Sequence, residues 1–273
     1  MSTVPQIFDR ALLRRRRQRV AARFADFDFL ALRAADEMAD RLVERGERFA
    51  TAVCCGLTAP LMAQAARVIT LDAAAPAPSD FAGIGDEERL PFGAGSLDLH
   101  LSVLTLHALN DLPGALAQIR RALRSNGAFM AAMFGGETLT ELRQAFAAAE
   151  IEFDGGLSPR VFPFVDVRDA GSLLQRAGFA EPIVDSDVVT VRYEHPLKLL
   201  RDLRGMAETN VLLERRRSSL KRRTLERMIE IYREKFSDPD GRVRATFQIL
   251  YLTGRARFED QQQPVTSGSR ARL

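Results

Sequence analysis

Three positions in the first third of the chain have residue types that can hold a ribose-bearing cofactor. Gly56 follows an apolar run in the segment AVCCGLTA, Asp72 ends the run RVITLD, and Asp86 begins the segment DEERLPF. A glycine lets the backbone approach a ligand closely, and a carboxylate at the end of the second strand can accept hydrogen bonds from two ribose hydroxyls. Asp86 can likewise accept a hydrogen bond from the exocyclic amine of an adenine. Because the three residues follow successive predicted strands, we expect them at one edge of a sheet.

The rest of the candidate site comes from the segments around these positions and from the N-terminus. Cys54, Cys55, Glu87 and Leu104 are further cofactor candidates, Arg10, Met133, Phe134 and Gly135 are substrate candidates, and His107 is the candidate catalytic residue. His107 directly follows the fourth predicted strand, and imidazole is the usual acid-base group near neutral pH. Structural alternatives stay open: Asp72 as the cap of the following loop, Gly135 as a turn residue and His107 as a packed loop residue.

The histidines and cysteines predict no metal site. Non-haem iron needs two histidines and one carboxylate that converge, and the three histidines show no ligand spacing. His100 lies inside the fourth predicted strand, where we expect a hydrogen-bonded interior or surface group. Cys54 and Cys55 are adjacent, so they cannot form an ordinary disulfide with each other, and two cysteines alone exclude a cysteine-based metal site. Reduced cysteines fit a cytoplasmic protein.

Alternating apolar runs and amphipathic segments position these residues. The first five predicted strands are FATAVCC, RVITLD, AGIGD, SLDLHLSVL and AFMAAMF. A helix in DLPGALAQIRRALRSNG has Asp111 as its predicted N-cap and Gly127 as its stop. Such alternation predicts a parallel sheet with helices on both faces. Two further predicted strands, EPIVDSDVVTVRY and RATFQILYLTGRA, flank two helices, which makes a mostly parallel seven-stranded sheet with a helical insertion before its last strand.

Length and composition indicate a soluble globular protein. The 273 residues are 46% hydrophobic and 27% charged, with a formal net charge of +3. No apolar run approaches the roughly 20 residues of a membrane-spanning helix. We expect one α/β domain over residues 1–260, with an N-terminal helical arm at 1–45 and the helical insertion at 194–240. The polar tail at 261–273 is predicted to be disordered.

Arginine is concentrated in two blocks, at 14–23 and 214–223. Such blocks can bind anionic lipid, nucleic acid or an acidic protein surface, and the alternative is a solvated helix face. Few aromatic residues are interleaved with the arginines, which argues against single-stranded nucleic acid. We therefore expect no nucleic-acid partner.

Longer segments carry a resemblance to a known family. VCCG, VITLD and the stretch from GDEERLPF to MFGGETL resemble class I S-adenosylmethionine-dependent methyltransferases. IFDRALLRRRRQRVAARF, LHALNDLP, AMFGGETLTELR and TFQILYLTGRA resemble the methyltransferase-like assembly factors of respiratory complex I. That family is similar to the malonyl carrier-protein methyltransferases of biotin synthesis. The resemblance covers nearly the whole chain.

The resemblance implies a Rossmann-like class I methyltransferase fold and S-adenosylmethionine as cofactor. It also implies modification or assembly of a complex I subunit, with arginine hydroxylation as the associated activity, and a peripheral contact with the inner membrane through the arginine blocks. Family members usually carry D-x-G-x-G-x-G where this chain has Ala52, Cys54, Gly56 and Thr58, so we expect weakened or lost cofactor binding. An active methyltransferase on a small molecule or carrier protein and a non-catalytic assembly scaffold stay open as alternatives.

Overall fold

A seven-stranded sheet forms the centre of the molecule, with the strands in the order β3-β2-β1-β4-β5-β7-β6. The computed structural model describes residues 4–56, 59–72, 74 and 81–257, so Thr58 and the predicted tail at 261–273 lie outside the described residues. The strands are β1 (Phe49–Gly56), β2 (Ala65–Asp72), β3 (Phe81–Ile84), β4 (Leu97–Val103), β5 (Leu123–Phe134), β6 (Phe179–Tyr193) and β7 (Val243–Ala256). β1 to β5 pair in parallel, and β7 runs antiparallel to both β5 and β6. The predicted mostly parallel sheet is confirmed.

Helices cover both faces of this sheet. They are α1 (Arg10–Val20), α2 (Phe29–Glu44), α3 (Leu112–Ala122), α4 (Thr140–Phe153), α5 (Val167–Arg176), α6 (Pro196–Gly205) and α7 (Arg222–Phe236). α1 and α2 form the predicted N-terminal helical arm, and α6 and α7 form the helical insertion before the last strand. Within the described ranges, no helix is both long and apolar enough to cross a bilayer.

The core is divided by the sheet into two layers. Leu30 and Met38 of α2 pack on one face together with α4 and α7, and Leu116 of α3 and Leu174 of α5 pack on the other. Side chains of a strand alternate between the two faces. The central strands are therefore apolar on both sides, which is why they appear as continuous apolar runs in the sequence.

Two predicted helix ends differ from the structure. The Asp111 cap is confirmed, since its Oδ1 accepts a hydrogen bond from the Gly114 amide at 2.9 Å. Gly127 is not the stop of α3, because that helix ends at Ala122 and the chain enters β5 directly. The second difference is a helix end inside the predicted helical insertion, because α6 ends at Gly205 and Ala207 then has a positive φ of 63°.

The beginning of the chain is fastened across the carboxyl edge of the sheet. The Asp9 amide donates to the carbonyl of Val211 at 2.7 Å, and Phe8 forms an isolated bridge with Leu212. The amides of Ile7 and Phe8 both donate to Asn110 Oδ1, at 2.7 and 2.8 Å, just beyond the end of β4. These contacts hold α1, with its arginines, over the ends of the parallel strands.

Candidate functional site

A cavity of about 280 Å³, which we call the edge cavity, lies at the carboxyl edge of the sheet. Its apolar lining comes mainly from the arm, through Val20, Phe24, Phe27, Leu30 and Ala31. Its polar lining consists of Arg17, Asp28, Asp72, Thr105 and Glu208. Small-molecule sites usually measure about 300–1,000 Å³. The edge cavity is therefore close to the lower end of that range.

Two of the predicted cofactor residues line the edge cavity with unusual backbone conformations. Gly56 has a φ of +84°, and a Cβ built on it would lie 2.3 Å from the carbonyl oxygen of Val103. Leu104 has a φ of 51°, which is uncommon for a residue with a side chain, and its amide donates to the carbonyl of Ala132 at 2.8 Å. Such conformations often occur at ligand sites, where neighbouring contacts hold them in place.

The two acids predicted to bind adenosine are in contact with arginines of α1. Asp86 Oδ1 lies 2.7 Å from Arg10, and Asp72 Oδ2 lies 3.8 Å from Arg17. Asp72 Oδ1 also accepts a hydrogen bond from the Ala74 amide at 2.7 Å, as the loop-cap alternative predicts. Both arginines and Asp72 border a small cavity of about 10 Å³, which Asp86 does not line. Arg10 therefore contacts the carboxylate that was expected to accept a hydrogen bond from an adenine amine.

Several other predicted site residues line neither the edge cavity nor the larger cleft described below. Cys54 and Met133 are wholly buried in opposite layers of the core, so their proposed ligand contacts are corrected to packing. A Cβ on Gly135 would lie 2.6 Å from Gln248 Oε1, which favours the turn interpretation. Cys55 and Glu87 are buried beneath the edge, bordering only the small cavity. Burial raises the pKa of both cysteine thiols, so they are protonated and poor nucleophiles at neutral pH.

His107 is placed at the site by a short 3-10 turn, Leu106–Ala108, that follows β4. Its side chain is fully buried, and Nε2 lies 3.1 Å from Glu208 Oε2. The ring packs against Phe134, with centroids 4.9 Å apart, and against Phe164 at 5.8 Å. His107 is therefore a packed residue that also contacts a carboxylate, and its catalytic role stays a prediction.

A larger cleft of about 780 Å³ lies on the other side of Glu208. Phe134 and Glu208 line both spaces, so these two residues form a shared wall. Five phenylalanines line the cleft: Phe134, Phe146, Phe162, Phe164 and Phe247. Arginines are also numerous in its lining: Arg15, Arg16, Arg160, Arg204, Arg215, Arg216 and Arg217. The cleft thus combines an aromatic lining, many cations and one carboxylate next to the edge cavity.

Many residues of the two arginine blocks contact the protein itself. Besides Arg17, Arg16 donates at 2.8 Å to the carbonyls of Thr209 and Asn210, and Arg215 lies 3.2 Å from Asp9. Arg15 and Arg19 are exposed. The blocks are therefore only in part a solvated face.

Two acids of the site were missed by sequence reasoning. Glu208 falls within the predicted helical insertion. In the structure it follows the end of α6 at Gly205, and its side chain contacts His107. Asp28 begins α2 without capping it through a side-chain hydrogen bond, and it lines the edge cavity. Burial raises the pKa of Asp28. The local signal for Asp28 was its position immediately before an amphipathic helix, which favours a cap over a ligand contact.

Comparison with known proteins agrees with this geometry. The family described as Methyltransferase domain matches residues 47–131. The arginine-hydroxylase NDUFAF5, mitochondrial, of Danio rerio is 37% identical over 279 aligned residues, which cover 96% of this chain and 87% of the relative. A malonyl-acyl-carrier-protein O-methyltransferase of Halorhodospira halophila is 37% identical over 166 residues, 61% of this chain and 54% of the relative. The solved YcgJ protein of Bacillus subtilis has the same fold at 12% identity, with a TM-score of 0.53 over 80% of this chain and 97% of that one.

The sheet order and the edge cavity define a class I S-adenosylmethionine-dependent methyltransferase fold. Within that class, the chain belongs to the NDUFAF5 arginine-hydroxylase family, as the identity along nearly its whole length demonstrates. The family expected from the sequence is thereby confirmed.

Proposed function

We propose that this chain binds S-adenosylmethionine in the edge cavity and hydroxylates an arginine side chain of a respiratory complex I subunit. In that reaction one atom of O₂ is inserted into a C–H bond of the arginine, and two electrons from an external reductant, with two protons, reduce the other oxygen atom to water. The contact between Glu208 and His107 is the observation that carries the proposal. Glu208 lines both spaces, so its carboxylate would contact an arginine that enters the larger cleft next to the proposed cofactor. Relatives named arginine-hydroxylases, aligned along almost the whole chain, support the same reaction.

An arginine side chain suits the chemistry of the larger cleft. A guanidinium group forms bidentate hydrogen bonds with a carboxylate and stacks on aromatic rings. Glu208 offers the carboxylate, and the side chains of Phe134 and Phe164 offer aromatic faces beside it. The many arginines in the lining favour an acidic protein surface around the target residue, because opposite charges steer the two proteins together.

The edge cavity supports S-adenosylmethionine as the cofactor in a modified arrangement. Ala52 stands where family members carry an acid, and it is completely buried between Val68 and Leu99 of the neighbouring strands. Asp28 lines the same cavity from the start of α2. We assign Asp28 the role of the missing acid, as partner of the cofactor's amino group, and Asp72 that of ribose partner.

Replacement of Asp28 by Asn tests the cofactor assignment. We expect Asp28→Asn to weaken S-adenosylmethionine binding about tenfold, since a hydrogen bond to a charged group contributes about 1.5 kcal/mol. Ammonium binding requires the ionised carboxylate, and burial raises the pKa of Asp28. Wild-type affinity should therefore fall as the pH is lowered through that pKa, while the variant shows no such step. Calorimetry at several pH values measures both effects.

Asp26→Asn is the matched control for that experiment. Asp26 is 62% exposed at the end of the 3-10 turn before α2, and it pairs with Arg23. Its replacement should leave the affinity for S-adenosylmethionine unchanged. Equal affinity of Asp28→Asn and Asp26→Asn would refute the role assigned to Asp28.

Mass spectrometry of complex I subunits tests the function itself. In cells that lack this gene, one arginine-containing peptide should lose the mass of a single oxygen atom relative to wild-type cells. Re-expression of the chain should restore that mass. Unchanged masses in every subunit would refute the hydroxylase proposal.

Methyl transfer is the second candidate function, favoured by the methyltransferase-domain match over 47–131 and by the relatives that methylate a malonyl carrier protein. If the methyl acceptor is a protein, comparison of the masses of complex I subunits and of carrier proteins from the same cells separates the two reactions, because the lost mass would then be that of one methylene group. Absence of both mass changes together with failure to assemble complex I would identify a scaffold.

For location, we propose the cytoplasmic side, with peripheral contact at the inner membrane through exposed residues such as Arg15 and Arg19.

A further inference from the structure

Three side chains with metal-ligand chemistry meet beneath the carboxyl edge of the sheet. Cys55 lies near the end of β1, His100 lies in β4, and Glu87 follows β3. Their ligand atoms all lie within 4.8 Å of one another. None of the three residues is more than 6% exposed. The prediction of no metal site was based on cysteines alone and on pairs of histidines. A mixed set of cysteine, glutamate and histidine was not considered.

His100 is the residue that points to a missing ligand. Neither ring nitrogen has a hydrogen-bond partner within the described part of the chain, although the side chain is wholly buried. Its nearest aromatic neighbour is Phe129, with ring centroids 5.9 Å apart. Buried polar atoms are almost always satisfied in proteins, and a neutral imidazole nitrogen is the commonest metal ligand. The expectation of a hydrogen-bonded His100 is therefore wrong for the protein atoms alone.

The other groups are arranged as a cation would require. A thiolate, a carboxylate and a neutral imidazole balance the charge of one divalent ion, so the ion and its three ligands would be neutral overall. Arg10 and Arg17 border the small cavity beside them. The Ser102 hydroxyl donates to Glu87 Oε1 at 2.7 Å and lies 2.6 Å from the Thr105 hydroxyl. Such hydrogen bonds orient a metal-binding carboxylate.

A small cavity that could hold a water molecule lies beside two of the three ligands, and His100 does not line it. The small cavity of about 10 Å³ is lined by Cys55, Glu87 and Thr105. That volume is close to the minimum for one water molecule, which is about 10–15 Å³. In tetrahedral zinc sites, neighbouring ligand atoms lie about 3.5 Å apart. Side-chain rotations that move the ligand atoms by about one ångström would therefore complete the coordination.

We propose that Cys55, Glu87 and His100 bind one divalent transition-metal ion, with Zn²⁺ as the ion that best matches a sulfur, oxygen and nitrogen ligand set. This site is independent of the proposed hydroxylation. It connects the end of β1 to β4 and to the segment after β3, so the ion stabilises the sheet edge at which the edge cavity lies.

Cobalt substitution tests the metal site. Full-length protein from cells grown with Co²⁺ should carry one cobalt per chain and show a thiolate-to-cobalt absorption band in the near ultraviolet. Cys55→Ala and His100→Val should each lower the metal content at least tenfold. Cys54→Ala is the matched control, because Cys54 is equally buried but belongs to the opposite core layer, and it should keep both the metal and the band.

The wild-type measurement decides the proposal even if a variant does not fold. Elemental analysis of protein from unsupplemented medium should show near-stoichiometric zinc, and removal by a chelator should lower the thermal midpoint. Wild-type protein with less than a tenth of an equivalent of any transition metal, in both media, would overturn the proposal. So would a cobalt band that survives Cys55→Ala.

Discussion

Glu208→Gln is expected to lower arginine modification about a hundredfold while the protein stays folded. Glutamine has nearly the same shape and can still hydrogen-bond to His107 Nε2, which lies 3.1 Å from Glu208 Oε2. It cannot provide the negative charge that pairs with a guanidinium. Loss of one partner of a buried charge pair costs about 2–5 kcal/mol in binding, and a hundredfold loss lies within that range. The measurement is the modified fraction of the target arginine in cells that express each variant.

The effect of Glu208→Gln on arginine modification can be measured separately from its effect on cofactor binding. Glu208 contacts both spaces, but Asp28 is the residue assigned to the cofactor's amino group. Glu208→Gln should therefore reduce modification far more than it reduces calorimetric affinity for S-adenosylmethionine, and Asp28→Asn should do the reverse. A loss of cofactor affinity as large as the loss of modification would contradict the assignment of Glu208 to the arginine.

Glu230→Gln is the surface control for this comparison. Glu230 lies on α7, is 61% exposed and pairs with Arg227, and it lines neither the edge cavity nor the larger cleft. Exposed ion pairs contribute little to stability, usually below about 1 kcal/mol. Full modification by this variant would show that removal of a glutamate charge elsewhere has no effect.

The position of the site could be predicted from the sequence because it depends on local patterns. Each central strand is a short apolar run, and Gly56, Asp72 and Asp86 each follow one such run. The carboxyl ends of parallel strands meet at one edge, so the order of these residues places them together. The same reasoning placed Phe134, at the end of β5, beside the two cavities.

The contacts within the site could not be predicted, because they join distant parts of the chain. Arg10 and Asp86 are 76 residues apart, and His107 and Glu208 are 101 residues apart. For this reason, Asp72 and Asp86, which were predicted to be cofactor ligands, are found in contact with arginines of α1. The turn that brings Glu208 to His107 depends on a positive φ at Ala207, for which alanine gives no signal.

Gly56→Ala is expected to lower the free energy of unfolding by about 2–5 kcal/mol, even without a cofactor. A side chain at a positive φ costs about 1–2 kcal/mol, and overpacking costs about 1–3 kcal/mol in addition. The new Cβ would lie 2.3 Å from the Val103 carbonyl oxygen and 3.1 Å from Thr105 Cγ2. The carbonyl belongs to the backbone of β4, so β1 and β4 would have to separate. Urea denaturation of the two proteins measures the difference.

Gly46→Ala separates the cost of the backbone conformation from that of the close contact. Gly46 has a φ of +63°, but nothing lies within 4 Å of a Cβ built on it, so its replacement should cost only about 1 kcal/mol. Equal stability of the two variants would refute the steric argument.

If Gly56→Ala is much less stable than Gly46→Ala without ligand, the glycine at position 56 is required by the neighbouring strand. The presence of Gly56 in AVCCGLTA would then not indicate a cofactor site, and S-adenosylmethionine binding would be inferred from Asp28 and Asp72. A defect seen only in S-adenosylmethionine affinity would instead identify Gly56 as a direct contact of the ligand.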